Sequence, residues 1–195
     1  MNDATLHADE RIVGILGGSF NPPHFGHVLL AHYALMRWPL YQILIIPAYK
    51  HPFGKQSVAF EHRVAMARLA FQHLGDYIEI SEIENELGDT SYTIDTVRAL
   101  QSRFPGVKFR LVVGGDILGE ISKWKESDVL AELAPMLVAP RLIDDKVFGL
   151  PGETGALPEI SSTEIRKNFE AGYVPVDSVP WKVVEYIKKH SLYVK

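Results

Sequence analysis

Residues 14–27 read GILGGSFNPPHFGH, with two adjacent glycines, two adjacent prolines and two histidines. An apolar run at 12–16 feeds this stretch, and an amphipathic run over 28–37 follows it. The order is strand, turn, helix. Gly17 and Gly18 lack a Cβ, so the chain can turn sharply there and bring backbone N–H groups close to an anion. Pro22 and Pro23 fix φ and push the residues before them away from helical geometry, so a helix starts no earlier than about His24. Its first turn then holds His24, Gly26 and His27, where unpaired N–H groups and the helix dipole favour an anion. Imidazoles in that position can donate to phosphate oxygens and carry positive charge when an anion is bound.

Other readings of the stretch compete. A G-x-G-x-x-G dinucleotide fingerprint is absent, and no Gly-Lys-Ser/Thr follows as in a P-loop. A metal site built from His24 and His27 has no obvious third ligand nearby and no acidic partner in the loop. Two histidines alone favour a plain capped turn. Joined to Gly-Gly behind a first strand, they favour phosphate handling.

The rest of the chain supplies the frame. Further strand candidates lie at 43–46, 77–80, 109–113 and 136–138, most of them β-branched or aromatic and ending at Gly or Pro. Helical patterns span 60–73 and 93–104, with an irregular stretch over 117–133. Two helices close the chain. One starts near Ser161, with Ser161 and Glu164 at capping-box spacing, and stops at Gly172. The other begins at Pro180 and turns Val183, Val184 and Ile187 inward. This rhythm predicts an α/β fold: a Rossmann-like, doubly wound parallel sheet of about five strands with two C-terminal helices. Arg63 and Arg68 read as part of a solvated helix face. The long loops, 47–59, 82–92 and 140–160, are of a length that often carries function.

Composition sets outer limits. The chain has 195 residues, 47% hydrophobic and 23% charged, which suits a globular protein with a real core. We expect one domain over 11–195 preceded by a polar arm, residues 1–10 (MNDATLHADE), which is not a secretory signal. No cysteine is present, which removes disulfides and thiolate metal sites. The net charge of −4 argues against a nucleic-acid partner, and no apolar stretch approaches the ~20 residues of a membrane span. The expectation is a soluble, cytoplasmic protein with no membrane partner; a homo-oligomer is left open.

In open parallel sheets, ligands bind beyond the carboxyl ends of the strands. Residues 17–27, 49–55, 114–116 and Ser161 all follow strand ends and would converge on one edge. The segment Gly17-Gly18-Ser19-Phe20-Asn21-Pro22-Pro23-His24-Phe25-Gly26-His27 resembles the nucleotide-binding motif of the nucleotidyltransferase superfamily that includes the bacterial nicotinate-nucleotide adenylyltransferases. Ile160-Ser161-Ser162-Thr163-Glu164-Ile165-Arg166 resembles that superfamily's second motif, I-S-S-T-x-I-R. Physically it is another helix N-terminus, with three hydroxyls in a row and a guanidinium one turn in, suited to the outer phosphates of ATP.

The middle of the chain narrows the resemblance. Ser91-Tyr92-Thr93-Ile94-Asp95-Thr96 and Gly114-Gly115-Asp116, followed by Trp124, resemble segments of the nicotinate-nucleotide enzymes. The resemblance implies that Trp124 stacks on a pyridine ring and that Thr93, with nearby backbone at Tyr92, binds its carboxylate. It also implies that Asp116, after Gly115, contacts a ribose or adenosine group. Taken alone, Trp124 reads as half-buried core and Thr93 as an ordinary helix start. Arg141, just past the fifth strand, is placed to reach the site. Two positions depart from the family pattern. The usual Pro-His-Lys after the second strand is Lys50-His51-Pro52-Phe53-Gly54-Lys55 here, with Lys55 preferred over Lys50 as the phosphate lysine, and Asn21 stands where Asp is common.

The implied reaction is adenylyl transfer from ATP to nicotinate mononucleotide, giving deamido-NAD and pyrophosphate by direct in-line attack. The resemblance assigns His24, His27 and Arg166 to catalysis and Gly17, Gly18, Ser19, Phe20, Lys55, Ser161, Ser162 and Thr163 to ATP. Mg²⁺ would enter with ATP, bound mainly through phosphates. The rivals are a phosphopantetheine adenylyltransferase, which shares the first and last motifs, and a non-catalytic nucleotide sensor.

Overall fold

The computed structural model describes residues 11–50, 57–88, 90, 92–143, 146–149 and 156–194. Its centre is a parallel sheet of β1 (Ile12–Gly18), β2 (Gln42–Pro47), β3 (Ile78–Ile80), β4 (Lys108–Gly114) and β5 (Met136–Ala139), in the order β3-β2-β1-β4-β5. Successive side chains of a strand face opposite ways, so a sheet covered on both faces needs unbroken apolar strands. That is what IVGIL and ILII provide. Leu16, Ile43, Ile45 and Val112 enter one core, and Val13, Ile15, Leu44, Ile46, Leu111 and Val113 enter the other. Full burial of one such side chain contributes roughly 1.5–3 kcal/mol.

The first core is covered by α1 (Phe25–Arg37), α2 (Phe60–Phe71), α6 (Ser162–Glu170) and α7 (Trp181–Lys189). The second is covered by α3 (Ile83–Leu87), α4 (Thr93–Arg103) and α5 (Ser127–Leu133). The chain winds outward from β1 to β3 across one face, then returns to β4 and β5 across the other. The reversal falls between β1 and β4, the switch point where doubly wound sheets open a ligand crevice.

Observed elements depart from the sequence reading in four places. α2 ends at Phe71 and continues as a 3-10 turn, Gln72–Tyr77, broken at Gly75 where φ is 56°. The irregular stretch after β4 resolves into 3-10 turns, Gly115–Ile117 and Ile121–Lys123, followed by α5. The loop expected over 82–92 contains α3, stopped by Gly88 at φ 73°. The loop expected over 140–160 contains an antiparallel hairpin, β6 (Arg141–Ile143) with β7 (Lys146–Phe148). α3 has five residues and the hairpin strands three each, too short for periodicity to register. The polar arm lies outside the described residues.

Candidate active site

The loop after β1 is anchored by Phe20, whose ring is fully buried 4.9 Å from the His27 ring and 6.0 Å from that of Phe71. Its φ is +46°, a strained conformation for a bulky residue that the surrounding packing must hold. Gly18 lies against that ring, where a Cβ would come within 3.3 Å. Gly17 is open: a Cβ there would meet nothing within 4 Å among the described residues. One glycine packs inward, and its neighbour leaves room for a ligand to approach the backbone.

His24 is the N-cap of α1, as Pro22-Pro23 require, in extended geometry. Its backbone N–H donates to His27 Nδ1 at 3.2 Å, and the two rings stack with centroids 3.8 Å apart. A neutral His27 that accepts at Nδ1 carries its proton on Nε2, which is therefore its donor. His24 is 4% exposed, and its Nδ1 is buried without a hydrogen-bond partner among the described residues. Gly26 keeps that ring in place, because a Cβ at this position would press to 3.0 Å from it.

Burial lowers the His24 pKa to about 2, with help from His27 and Arg141, and lowers His27 to about 3, with help from Arg141. Both imidazoles are thus neutral at pH 7 in the unliganded protein. A neutral imidazole keeps one N–H donor, and the charge of Arg141 opposes protonation of both rings.

Arg141 opens β6. It donates from Nη1 to Asp116 Oδ2 at 2.9 Å and from Nη2 to the Ile160 carbonyl at 3.1 Å. It therefore ties the turn after β4 to Ile160, the first residue of the second motif. Asp116 Oδ1 is buried without a hydrogen-bond partner among the described residues, an acceptor suited to a hydroxyl. Gly115 lets the hairpin close over this point, since a Cβ there would stand 2.0 Å from the Phe148 carbonyl oxygen.

α6 brings the second motif to the first. Ser162 Oγ donates to the Pro22 carbonyl at 2.9 Å. Arg166 donates to the Asn21 carbonyl at 2.8 Å and to Thr163 Oγ1 at 3.2 Å. Ser161 occupies the N-cap position, but its side chain makes no capping bond; the expected Ser161–Glu164 capping box is not formed. Its hydroxyl therefore stands at the mouth of the helix beside unpaired first-turn N–H groups.

On the other side of the crevice, Tyr92 caps α4 and Thr93 is its first residue. A cavity of about 270 Å³ lies here, lined by Tyr92, Asp95, Thr96, Glu84 and Lys125 among others. Lys125 Nζ pairs with Asp95 Oδ2 at 2.9 Å and sits 4.8 Å over the Tyr92 ring. Trp124 does not line this cavity. It packs, partly exposed, at the margin of the second core. Lys50 Nζ reaches the Gly88 carbonyl at 3.2 Å, while Lys55 lies outside the described residues.

Arg63 overturns its reading as a solvated residue. It is 3% exposed and donates to four backbone carbonyls, whereas Arg68 does sit outside, paired with Glu82 at 2.7 Å. Burial lowers the Arg63 pKa, opposed by Tyr193, Glu84 and Glu61. The signal was present in the spacing: Arg63 falls between Phe60, Val64 and Ala67 on the apolar stripe of α2. Tyr193, which donates to Asn21 Oδ1 at 2.7 Å, is a further contact with the loop after β1 that the sequence reading missed.

Comparison with known proteins fits this geometry. Residues 15–168 match the cytidylyltransferase-like family. A probable nicotinate-nucleotide adenylyltransferase of Myxococcus xanthus (strain DK1622) is 37% identical, covering 93% of this chain and 94% of the relative. One from Anaeromyxobacter dehalogenans (strain 2CP-C) is 40% identical, covering 94% and 97%. Among solved structures, the Plasmodium falciparum nicotinic acid mononucleotide adenylyltransferase complexed with NaAD superposes with a TM-score of 0.76 at 21% identity, covering 94% of this chain and 97% of that one. At that identity the superposition speaks for the fold.

Proposed function

The chain belongs to the cytidylyltransferase-like family, and on that premise we propose that it transfers the adenylyl group of ATP to nicotinate mononucleotide in NAD biosynthesis. The products are nicotinate adenine dinucleotide and pyrophosphate. The observation that carries the reading is the meeting of His24, His27, Arg141 and the α6 N-terminus at the switch point of the sheet. Relatives more than 30% identical over nearly the whole chain carry that activity in their names.

A phosphate oxygen of the mononucleotide attacks the α-phosphorus of ATP. The new P–O bond forms as the bond to the β-phosphate bridging oxygen breaks, and pyrophosphate leaves with that electron pair. The nucleophile is already ionised at neutral pH, so no general base is needed. Catalysis comes from alignment of two anions and from donors aimed at charge developing on phosphorus. The neutral His27 Nε2–H and the His24 ring fit the transferring and bridging phosphates. Ser161, Thr163 and the remaining N–H groups of Arg166 fit the leaving pyrophosphate. Neutral imidazoles suit this task, because they donate to the phosphates without adding two further full charges to those of Arg141 and Arg166.

Asp116 Oδ1 is proposed to accept from a ribose hydroxyl, and Tyr92, Thr93 and Trp124 to hold the pyridine end. Magnesium is proposed to travel with ATP, where it neutralises phosphate charge. Phosphate oxygens and water would be its main ligands, since Mg²⁺ keeps several waters and binds chiefly through substrate phosphates.

Pyrophosphate release from ATP, with nicotinate mononucleotide, nicotinamide mononucleotide and phosphopantetheine offered in parallel, tests the reading. Turnover with the nicotinate nucleotide is expected. Turnover with phosphopantetheine alone, or with no acceptor, overturns it.

A further inference from the structure

Arg63 holds together parts of the site that lie on different loops. Nε donates to the Val58 carbonyl at 3.2 Å. Nη1 donates to the Ser19 carbonyl at 3.0 Å and to the Ala48 carbonyl at 2.6 Å, and Nη2 to the Tyr49 carbonyl at 3.2 Å. Ser19 belongs to the phosphate loop after β1, and the other three to the loop between β2 and α2. A buried guanidinium is costly unless its donors are satisfied. It therefore fixes where those carbonyls stand relative to one another.

A buried carboxylate continues the connection. Glu84, 8% exposed, accepts from the Tyr49 N–H at 3.1 Å and from Thr96 Oγ1 at 3.0 Å. The Tyr49 residue is thus held on both sides, its carbonyl by Arg63 and its N–H by Glu84. Thr96 Oγ1 also lies 3.3 Å from the Tyr92 carbonyl, at the start of α4. A continuous path runs from Ser19 through Arg63, Tyr49, Glu84 and Thr96 to Tyr92. It joins the donor side of the crevice to the acceptor side.

We propose that Arg63, acting with Glu84, is a positioning residue that sets the phosphate loop against the acceptor side so that the two substrates meet in line. The inference rests on the adenylyl-transfer reading and deepens it. Arg63 touches neither substrate; it acts through the Ser19 and Tyr49 backbone. Misplacement of about 1 Å can cost on the order of 100-fold in rate.

Arg63→Lys keeps the charge but replaces a planar fork with a single nitrogen, which cannot serve four spread carbonyls. With wild-type turnover established first, the Lys variant is expected to lose about 10- to 100-fold in kcat while KM for ATP changes less than about 3-fold. Affinity for the dinucleotide product, which spans both sides, should fall, whereas affinity for ATP alone holds. A purely architectural arginine would not separate those two affinities in a folded protein. Glu84→Gln and Thr96→Val should give the same pattern in weaker form, and combining Glu84→Gln with Arg63→Lys should be non-additive. Should Arg63→Lys fail to fold, by circular dichroism and thermal melting, the Glu84 and Thr96 variants carry the test. Folded variants with wild-type kcat overturn the proposal, as does a loss of ATP affinity equal to the loss in kcat. An inactive wild-type protein would instead overturn the function on which it rests.

Discussion

The two sides of the crevice are built differently. On the donor side, His24, Phe20 and Arg63 are buried, and neutral imidazoles and backbone carbonyls carry the hydrogen bonds. On the proposed acceptor side a buried hydrogen bond from Thr96 to Glu84 lies beneath exposed ion pairs, Lys125–Asp95 and Arg98–Glu126. Buried networks are rigid and unforgiving; exposed ion pairs are screened and contribute little to stability. On the proposed reading, the groups assigned to the phosphates are set in the core, while the rim of the assigned acceptor side carries exposed ion pairs.

Variants on the two sides should separate accordingly. The largest effect is expected at His27: replacement by Ala should lower kcat by about 100- to 1,000-fold with little change in KM, measured by steady-state pyrophosphate release. Preserved turnover would remove His27 from transition-state stabilisation. Trp124→Ala should come next, weakening the mononucleotide by about 10-fold while sparing ATP, read by titration calorimetry. Collapse of ATP affinity would reverse the assignment of the two sides.

Stability predictions are smaller. Gly115→Ala places a Cβ 2.0 Å from the Phe148 carbonyl oxygen, so the hairpin must shift, at a cost of about 1–3 kcal/mol in denaturant unfolding. The histidines add a pH dependence. Both are bases whose pKa falls on folding, from 6.5 to about 2 and about 3. As pH drops below 6.5 the unfolded chain takes up protons that the folded one refuses, so stability is full above that point and declines toward pH 3. Replacing His27 with Asn should flatten the slope; an unchanged slope would mean that burial does not hold the pair neutral. Lys125→Met should leave the melting temperature unchanged, in keeping with an exposed pair.

Much of this was legible in the sequence. Both-face burial writes itself as unbroken apolar strands, so all five strands of the main sheet were found with ends within two residues. Pro22-Pro23 fixed the α1 N-cap at His24, and two motif segments located the crevice. What escaped depends on tertiary context. The charge state of His24 and His27 is set by burial and by Arg141, a residue far away in sequence. Ser161 looked like a cap, yet no capping bond forms and Ser162 instead reaches back to Pro22. Arg63 looked solvated because a charged side chain usually is, although its position on the apolar stripe of α2 said otherwise.

The central claim is that ATP is cleaved at its α-phosphorus and the adenylyl group passes directly to a nicotinate nucleotide. ATP labelled at the α-phosphorus, incubated with the protein, magnesium and nicotinate mononucleotide, tests it most directly. Label should move wholly into a dinucleotide, one unlabelled pyrophosphate should appear per transfer, and no label should stay on the protein. Label retained on the protein, or found in AMP while the mononucleotide is unchanged, would contradict it.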